Sequence, residues 1–318
     1  MTMRKLFLRG VLSLIVLLLA ALALGFALSW APDRPVQELV KQWAPPPSTF
    51  VDVKGLKVHL RDEGVQTDPI PVVLIHGTSA SLHTWEAWVD TLKSQRRVIT
   101  MDLPGFGLTG PNPQNDYRNE SYTQFIIDLM DTLGVQRFVL GGNSLGGDIA
   151  WQVAEKVPQR VDKLILVDAA GYPIRPQSMP IAFTIARTPV LNKMMEMTLP
   201  RSMVESSVRD VYGDPSRVTP ALVDRYEALT LREGNRKALV QRFAQSNFEG
   251  SGSRIKAIKQ PTLILWGGRD RLIPVENAYF FERDIAGSQL TVFDDLGHVP
   301  HEENPARTAA VVQAFLKN

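Results

Sequence analysis

Five short apolar runs recur along the chain, and each ends in a turn residue: "IPVVLIHG" (70–77), "RRVITMDLPG" (96–105), "RFVLGG" (137–142), "KLILVDAAG" (163–171) and "PTLILWGG" (261–268). A strand with one wet face alternates apolar with polar residues. A run that is apolar at both parities needs cover on both faces, which is the condition of a parallel sheet. Helical spacings lie between these runs. "SYTQFIIDLMDTLG" stops at Gly134, a suitable C-cap, and "SLGGDIAWQVAEKVP" stops before Pro158. "NPARTAAVVQAFLKN" closes the chain, after "SQLTVF" as the last strand. Regular alternation of strand and helix predicts an α/β fold, a mostly parallel sheet flanked by helices on both faces. "TFVDVKGLKVHLRDEG", alternating around Gly55, predicts a hairpin at its start.

The alternation breaks between Gly171 and about Ser253. This stretch is helix-like, rich in methionine (Met179, Met194, Met195, Met197, Met203) and punctuated by seven prolines from Pro173 to Pro220. It reads as a helical cap inserted over 172–254, which divides the core into 49–171 and 255–318. Insertions after strand ends sit where such sheets bind ligands, so the segment as a whole reads as a lid. Any one of its methionines reads as packing.

The N-terminus follows other rules. "GVLSLIVLLLAALALGFAL" (10–28) carries no charge, with Arg4, Lys5 and Arg9 before it and Trp30 and Pro32 after it. Its length suits a bilayer-spanning helix, so residues 1–30 read as an anchor with the N-terminus cytoplasmic and the remainder outside, periplasmic or extracellular. The alternative is a signal peptide cut after Ala27-Leu28-Ser29, leaving a secreted protein. "APPPS" (44–48) makes 31–48 a stiff linker.

Composition narrows the chemistry. A formal net charge of +2 gives no field for nucleic acid. The chain has no cysteine, which excludes a disulfide framework, a thiolate metal site and a cysteine nucleophile. No metal or organic cofactor is implied.

Four glycines crowd one hydroxyl in "VLGGNSLGGDIAW" (139–151). Ser144 stands where a buried strand turns into a helix, a corner that strains the backbone and projects the side chain. Gly142 and Gly146 lie too close to this turn for side chains, and Gly141 and Gly147 let strand and helix approach. A serine needs a base, and His298 in "GHVPHEENP" sits on a loop able to return over the sheet edge, with His301 as the rival. His76 reads as structural, and His59 and His83 as having no chemical role. A carboxylate must hold the base in one tautomer. Asp270, directly after a strand in "GGRDRLIP", fits the chain order Ser, Asp, His, and Asp168 is its rival. Asp294 and Asp295 are too near His298 along the chain. For an oxyanion, the N–H of Leu145 and of Thr78 are candidate donors, with Ser79 next.

The motifs "HGTSAS" (76–81), "DLPGFG" (102–107), "GNSLGG" (142–147), "GGRDRLIP" (267–274) and "GHVPHEENP" (297–305) together resemble the α/β-hydrolase superfamily over residues 50–318. The resemblance places nucleophile, acid and base on Ser144, Asp270 and His298, and an oxyanion loop from Thr78. It implies a membrane-anchored serine hydrolase cleaving a small-molecule ester or lipid, of the esterase or lipase type. Haloalkane dehalogenases and epoxide hydrolases carry aspartate where Ser144 stands, and cofactor-free perhydrolases often have a proline that residues 78–81 lack. Two alternatives remain. One is a carbon–carbon bond hydrolase of the meta-cleavage type, toward which Asn143 leans. The other is a binding protein that keeps the fold without catalysis.

Overall fold

The computed structural model describes residues 3–246 and 252–317. The five apolar runs form adjacent strands of one sheet. In chain order the strands are β1 (Thr49–Val53), β2 (Leu56–Gly64), β3 (Val72–Ile75), β4 (Arg97–Met101), β5 (Phe138–Asn143), β6 (Val161–Val167), β7 (Thr262–Gly267) and β8 (Gln289–Phe293). They lie side by side in the order β1-β2-β4-β3-β5-β6-β7-β8, and only β2 runs antiparallel to its neighbours. The parity argument holds residue by residue. Val73 and Ile75 point into one apolar core, and Val72 and Leu74 point into the other, on the opposite face of the sheet. The fold is therefore the mostly parallel α/β architecture expected from the sequence.

The helices are α1 (Met3–Leu28), α2 (Val36–Trp43), α3 (Glu86–Leu92), α4 (Asn119–Thr132), α5 (Leu145–Lys156), α6 (Ile181–Arg187), α7 (Leu191–Met195), α8 (Arg201–Val211), α9 (Pro220–Thr230), α10 (Asn235–Gln245), α11 (Gly252–Ile255), α12 (Glu276–Asp284), α13 (Pro300–Glu303) and α14 (Pro305–Lys317). Helix α4 ends as its sequence requires, with Gly134 at a φ of +67°. Helices α6–α10 all fall between β6 and β7, where the strand pattern lapses. They hold a small core of their own around Leu199, Val204, Val208 and Val223, onto which Val299 packs from the loop after β8. Residues 247–251 of the expected insertion lie outside the described residues.

Residues 31–48 differ from a bare spacer. They contain α2, whose Leu39 is buried against Leu108, Ala228 and Leu229. One face of "VQELVKQW" is apolar at helical spacing, over only two turns and directly before the prolines at 45–47. His59 is also more than a hairpin residue. Its Nδ1 lies 2.7 Å from Asp102 and its Nε2 2.9 Å from Ser48 Oγ, which fastens the end of this segment to the core. Among the described side chains of α1, those from 7 to 21 and at 23–25, 27 and 28 are exposed and Phe26 is half-buried. Its Phe7–Leu28 stretch, of mean hydropathy 2.9, is long and apolar enough to cross a membrane, a test that a signal sequence also passes.

Candidate active site

Ser144 occupies the corner between β5 and α5 with φ +55° and ψ −115°, outside the ordinary basins for an L-residue. The surrounding glycines permit this turn by steric exclusion. A Cβ on Gly142 would overlap the carbonyl of Gly146, one on Gly146 the carbonyl of Ile75, and one on Gly147 the methyl of Ala169. Gly77 completes the packing, because a Cβ there would come within 3.1 Å of Ser144 Cβ. The loop that begins at Thr78 is thus pressed against the serine.

Leu145 is the first residue of α5, where backbone N–H groups have no intrahelical acceptor and the helix dipole is positive. Thr78 borders both cavities that Ser144 borders. Thr78 and Leu145, the residues expected to supply oxyanion donors, thus both line a cavity with Ser144. Ser79, the second choice, follows Thr78 with φ +61° and lines only one of these two cavities.

His298 is buried on the loop after β8 and lines a cavity with Ser144. Its Nδ1 lies 2.6 Å from Asp270 Oδ2. The other Asp270 oxygen accepts the N–H groups of Leu272 and Ile273 at 2.8 and 2.9 Å. Asp168 stands beside this pair without replacing it. The ligand atoms of Asp168, Asp270 and His298 lie within 4.8 Å of one another, a spacing that a metal ion could use. The donor set is a poor match for one, because burial and the adjacent Asp270 charge push the Asp168 carboxyl up, against the ionised form a metal would need, and Asp270 already accepts three hydrogen bonds.

The other histidines are accounted for. His301 is buried, stacks on Trp85 at 4.1 Å and meets Thr84 Oγ1 at 3.0 Å, and burial pulls its pKa down to about 3. His76 Nδ1 lies 2.7 Å from its neighbour's carbonyl, and Nε2 accepts the Leu103 N–H. His83 Nε2 donates to the Trp43 carbonyl, and burial lowers its pKa to about 4.

Three features escaped sequence reasoning. Asn143 Nδ2 donates to the carbonyls of His298 and Val167, tying the serine corner to the histidine loop. Glu303 accepts the backbone N–H groups of Gly213, Asp214 and Gly297, which pins that loop to the end of α8. The only hint was its place in the "GHVPHEENP" motif. Finally, a polar wall is built from three separate helices. Asp148 accepts from Asn119 at 2.6 Å and from Gln152 at 2.9 Å, with Arg242 nearby.

Two cavities meet at Ser144. One, of about 220 Å³, is lined by Asn119, Asp148, Arg242, Trp151, Phe183 and Phe243 among others. The second, of about 90 Å³, runs under α6–α8 between Met195, Leu199, Met203, Val208 and Val211. The arrangement can deliver a serine oxygen to a carbon in either cavity, with an imidazole for its proton and N–H groups for developing negative charge.

Residues 70–305 match the family described as alpha/beta hydrolase fold. A 2-hydroxy-6-oxo-2,4-heptadienoate hydrolase of Pseudomonas putida is 31% identical over 275 residues, 82% of this chain and 93% of the relative. A meta-cleavage product hydrolase from Pseudomonas fluorescens superposes with a TM-score of 0.74 at 26% identity, covering 85% of this chain and 97% of that one. A membrane phospholipase A described as a bacterial virulence factor superposes with a TM-score of 0.71 at 25% identity, over 98% of both chains.

Proposed function

The chain belongs to the α/β-hydrolase family, and on that premise we propose that it is a membrane-anchored serine hydrolase of carboxylic esters, lipid esters among them. The observation that carries this reading is the shared cavity of Ser144 and His298, with Asp270 at 2.6 Å from the histidine. Ser144 Oγ attacks the acyl carbon as His298 Nε2 takes its proton. The carbonyl oxygen becomes an oxyanion held by the N–H groups of Thr78 and Leu145. Collapse expels the alcohol, which leaves with the proton from His298. Water then gives its proton to His298, attacks the acyl-enzyme, and frees the acid and the serine.

Two observations support an ester with an apolar acyl part. The cavity under α6–α8 is walled by methionine, leucine and valine, and on this reading these helices act as the lid. The likeness to a membrane phospholipase A spans 98% of this chain, whereas the likeness to the meta-cleavage product hydrolase spans 85%.

A second reading is hydrolysis of a carbon–carbon bond beside a ketone, as in the relatives named for that chemistry. The same serine, base and oxyanion donors would serve it. One panel separates the readings: p-nitrophenyl esters of graded chain length beside a vinylogous 1,5-diketone acid. Ester turnover that disappears in Ser144→Ala, together with Ser144-dependent labelling by a fluorophosphonate, is the expected result. Ester turnover that survives the substitution overturns the proposal. Turnover of the diketone acid alone moves the assignment to the second reading.

A further inference from the structure

Helices α6 and α7 have apolar side chains on two sides, with Thr184, Arg187 and Lys193 as their exposed polar residues. Ala182 and Phe183 of α6 and Met195 of α7 turn onto the cavities beside Ser144. Yet Ile181, Leu191 and Met194 on the same helices are exposed, and so is Met197 just beyond. An apolar patch on the outside of helices whose inside already faces an apolar cavity calls for a second apolar surrounding, and the cavity supplies only one. Val190 sharpens the point. It caps α7 with φ +73° and ψ −50°, a region that β-branched residues avoid, and its side chain is 74% exposed. The isopropyl group is nonetheless left out in solvent.

The second apolar surrounding is indicated by where α1 ends. Ala31 donates its N–H to Met197 O at 3.0 Å, Leu199 donates to Ser29 O at 3.1 Å, and Trp30 bridges Thr198 in antiparallel fashion. The residues that directly follow the apolar helix are therefore bonded, strand to strand, to those that follow α7. A second fastening joins Arg34 to Leu231 and Glu233 by backbone hydrogen bonds, and Asp33 to Arg236 by an ion pair. Trp30, half-exposed and edge-on to Phe26 at 5.8 Å, has the character of a residue at a membrane–water boundary. Wherever α1 enters lipid, α7 lies beside the entry point.

We propose that the outer face of α6 and α7, formed by Ile181, Val190, Leu191, Met194 and Met197, docks into the lipid surface beside α1. The inner face of the same helices lines the path to Ser144, so an acyl chain reaches the serine from the bilayer. The consequence for turnover rests on the ester-hydrolase reading; the docking itself does not.

The chain has no cysteine, which allows a direct test. Val190→Cys, Met194→Cys and, as a control on an exposed site, Lys156→Cys are each labelled with an environment-sensitive dye. The full chain is reconstituted into vesicles of phosphatidylethanolamine and phosphatidylglycerol containing spin-labelled lipid. Quenching at 190 and 194 but not at 156 is the expected result. Dyes at 190 and 194 that stay unquenched, or that are already shielded in detergent by a second copy of the chain, overturn the docking. In a second arm, Val190→Asp with Met194→Asp leaves kcat/KM for a soluble butyrate ester unchanged and lowers turnover of vesicle-borne lipid ester at least about tenfold. Equal effects on both substrates overturn the docking and leave the hydrolase reading standing. Ester turnover independent of Ser144 overturns the hydrolase reading and leaves the quenching result intact.

Discussion

His298 Nδ1 and Asp270 Oδ2 lie 2.6 Å apart, and the second oxygen of the same carboxylate is fully engaged by two backbone N–H groups. The carboxylate cannot turn, so the imidazole is held with its proton on Nδ1 and its lone pair on Nε2. In Asp270→Asn the amide oxygen keeps the two backbone donors and the NH₂ faces His298. That forces the opposite tautomer, with a proton where a base is needed. The expected outcome is a loss in kcat of about 10⁴-fold on a p-nitrophenyl ester. Circular dichroism melting should show the fold retained.

His301, three residues further on, is the obvious competitor for the role of base. Its ring lies between Trp85 and Thr84, and burial keeps it neutral at working pH. His301→Gln should keep ester turnover within about threefold of the parent, and His298→Gln should abolish it. The first substitution is expected to lower stability by about 1–3 kcal/mol in urea titration, because it disturbs a stacked, hydrogen-bonded buried group.

The corner at Ser144 makes a steric prediction. Gly146→Ala would place a methyl onto the carbonyls of Ile75 and His76, which are backbone and cannot yield. A loss of about 3 kcal/mol or more is expected by denaturant titration, with poor soluble yield. Gly134→Ala is the comparison. Its φ is +67° but the space around it is open, so only the backbone cost of about 1 kcal/mol should appear.

The strands and the serine corner were legible in the sequence because both are written in neighbouring residues. Parity over four or five positions fixes a two-sided strand, and four glycines within seven residues fix a crowded turn. The supports of the site are of a different kind. Asn143 reaches a carbonyl 155 positions away. Glu303 bonds the loop before His298 and residues 213–214 together, which no local spacing encodes. Helix α2 was hidden by the prolines after it, and the Ser48–His59–Asp102 chain needed the β1–β2 hairpin and β4 to be placed before it could be seen. His298 and Asp270 were legible through motif and chain order, and their pairing is itself a long-range fact.

Asp148 makes its own contribution to the pH dependence of stability. It is buried beside Ser144's larger cavity, and desolvation raises its pKa from the ordinary 3.8 to about 6, although Arg242, Gln152 and Asn119 pull the other way. A carboxyl whose folded pKa exceeds its unfolded pKa binds protons more tightly when folded. Its contribution is therefore most favourable in acid and declines as pH rises from about 4 to about 6, with no further change above. At pH 7 the ionised group costs about 2–3 kcal/mol relative to its protonated form. Asp148→Asn removes that cost. It also keeps the network, because the unpartnered Asn119 Oδ1 can accept from the new amide once the Asn119 amide turns over. The variant should equal the parent in stability near pH 4 and exceed it progressively up to pH 6, read as the difference in urea midpoints across a pH series. A difference that stays constant over that range would show that Asp148 does not titrate there.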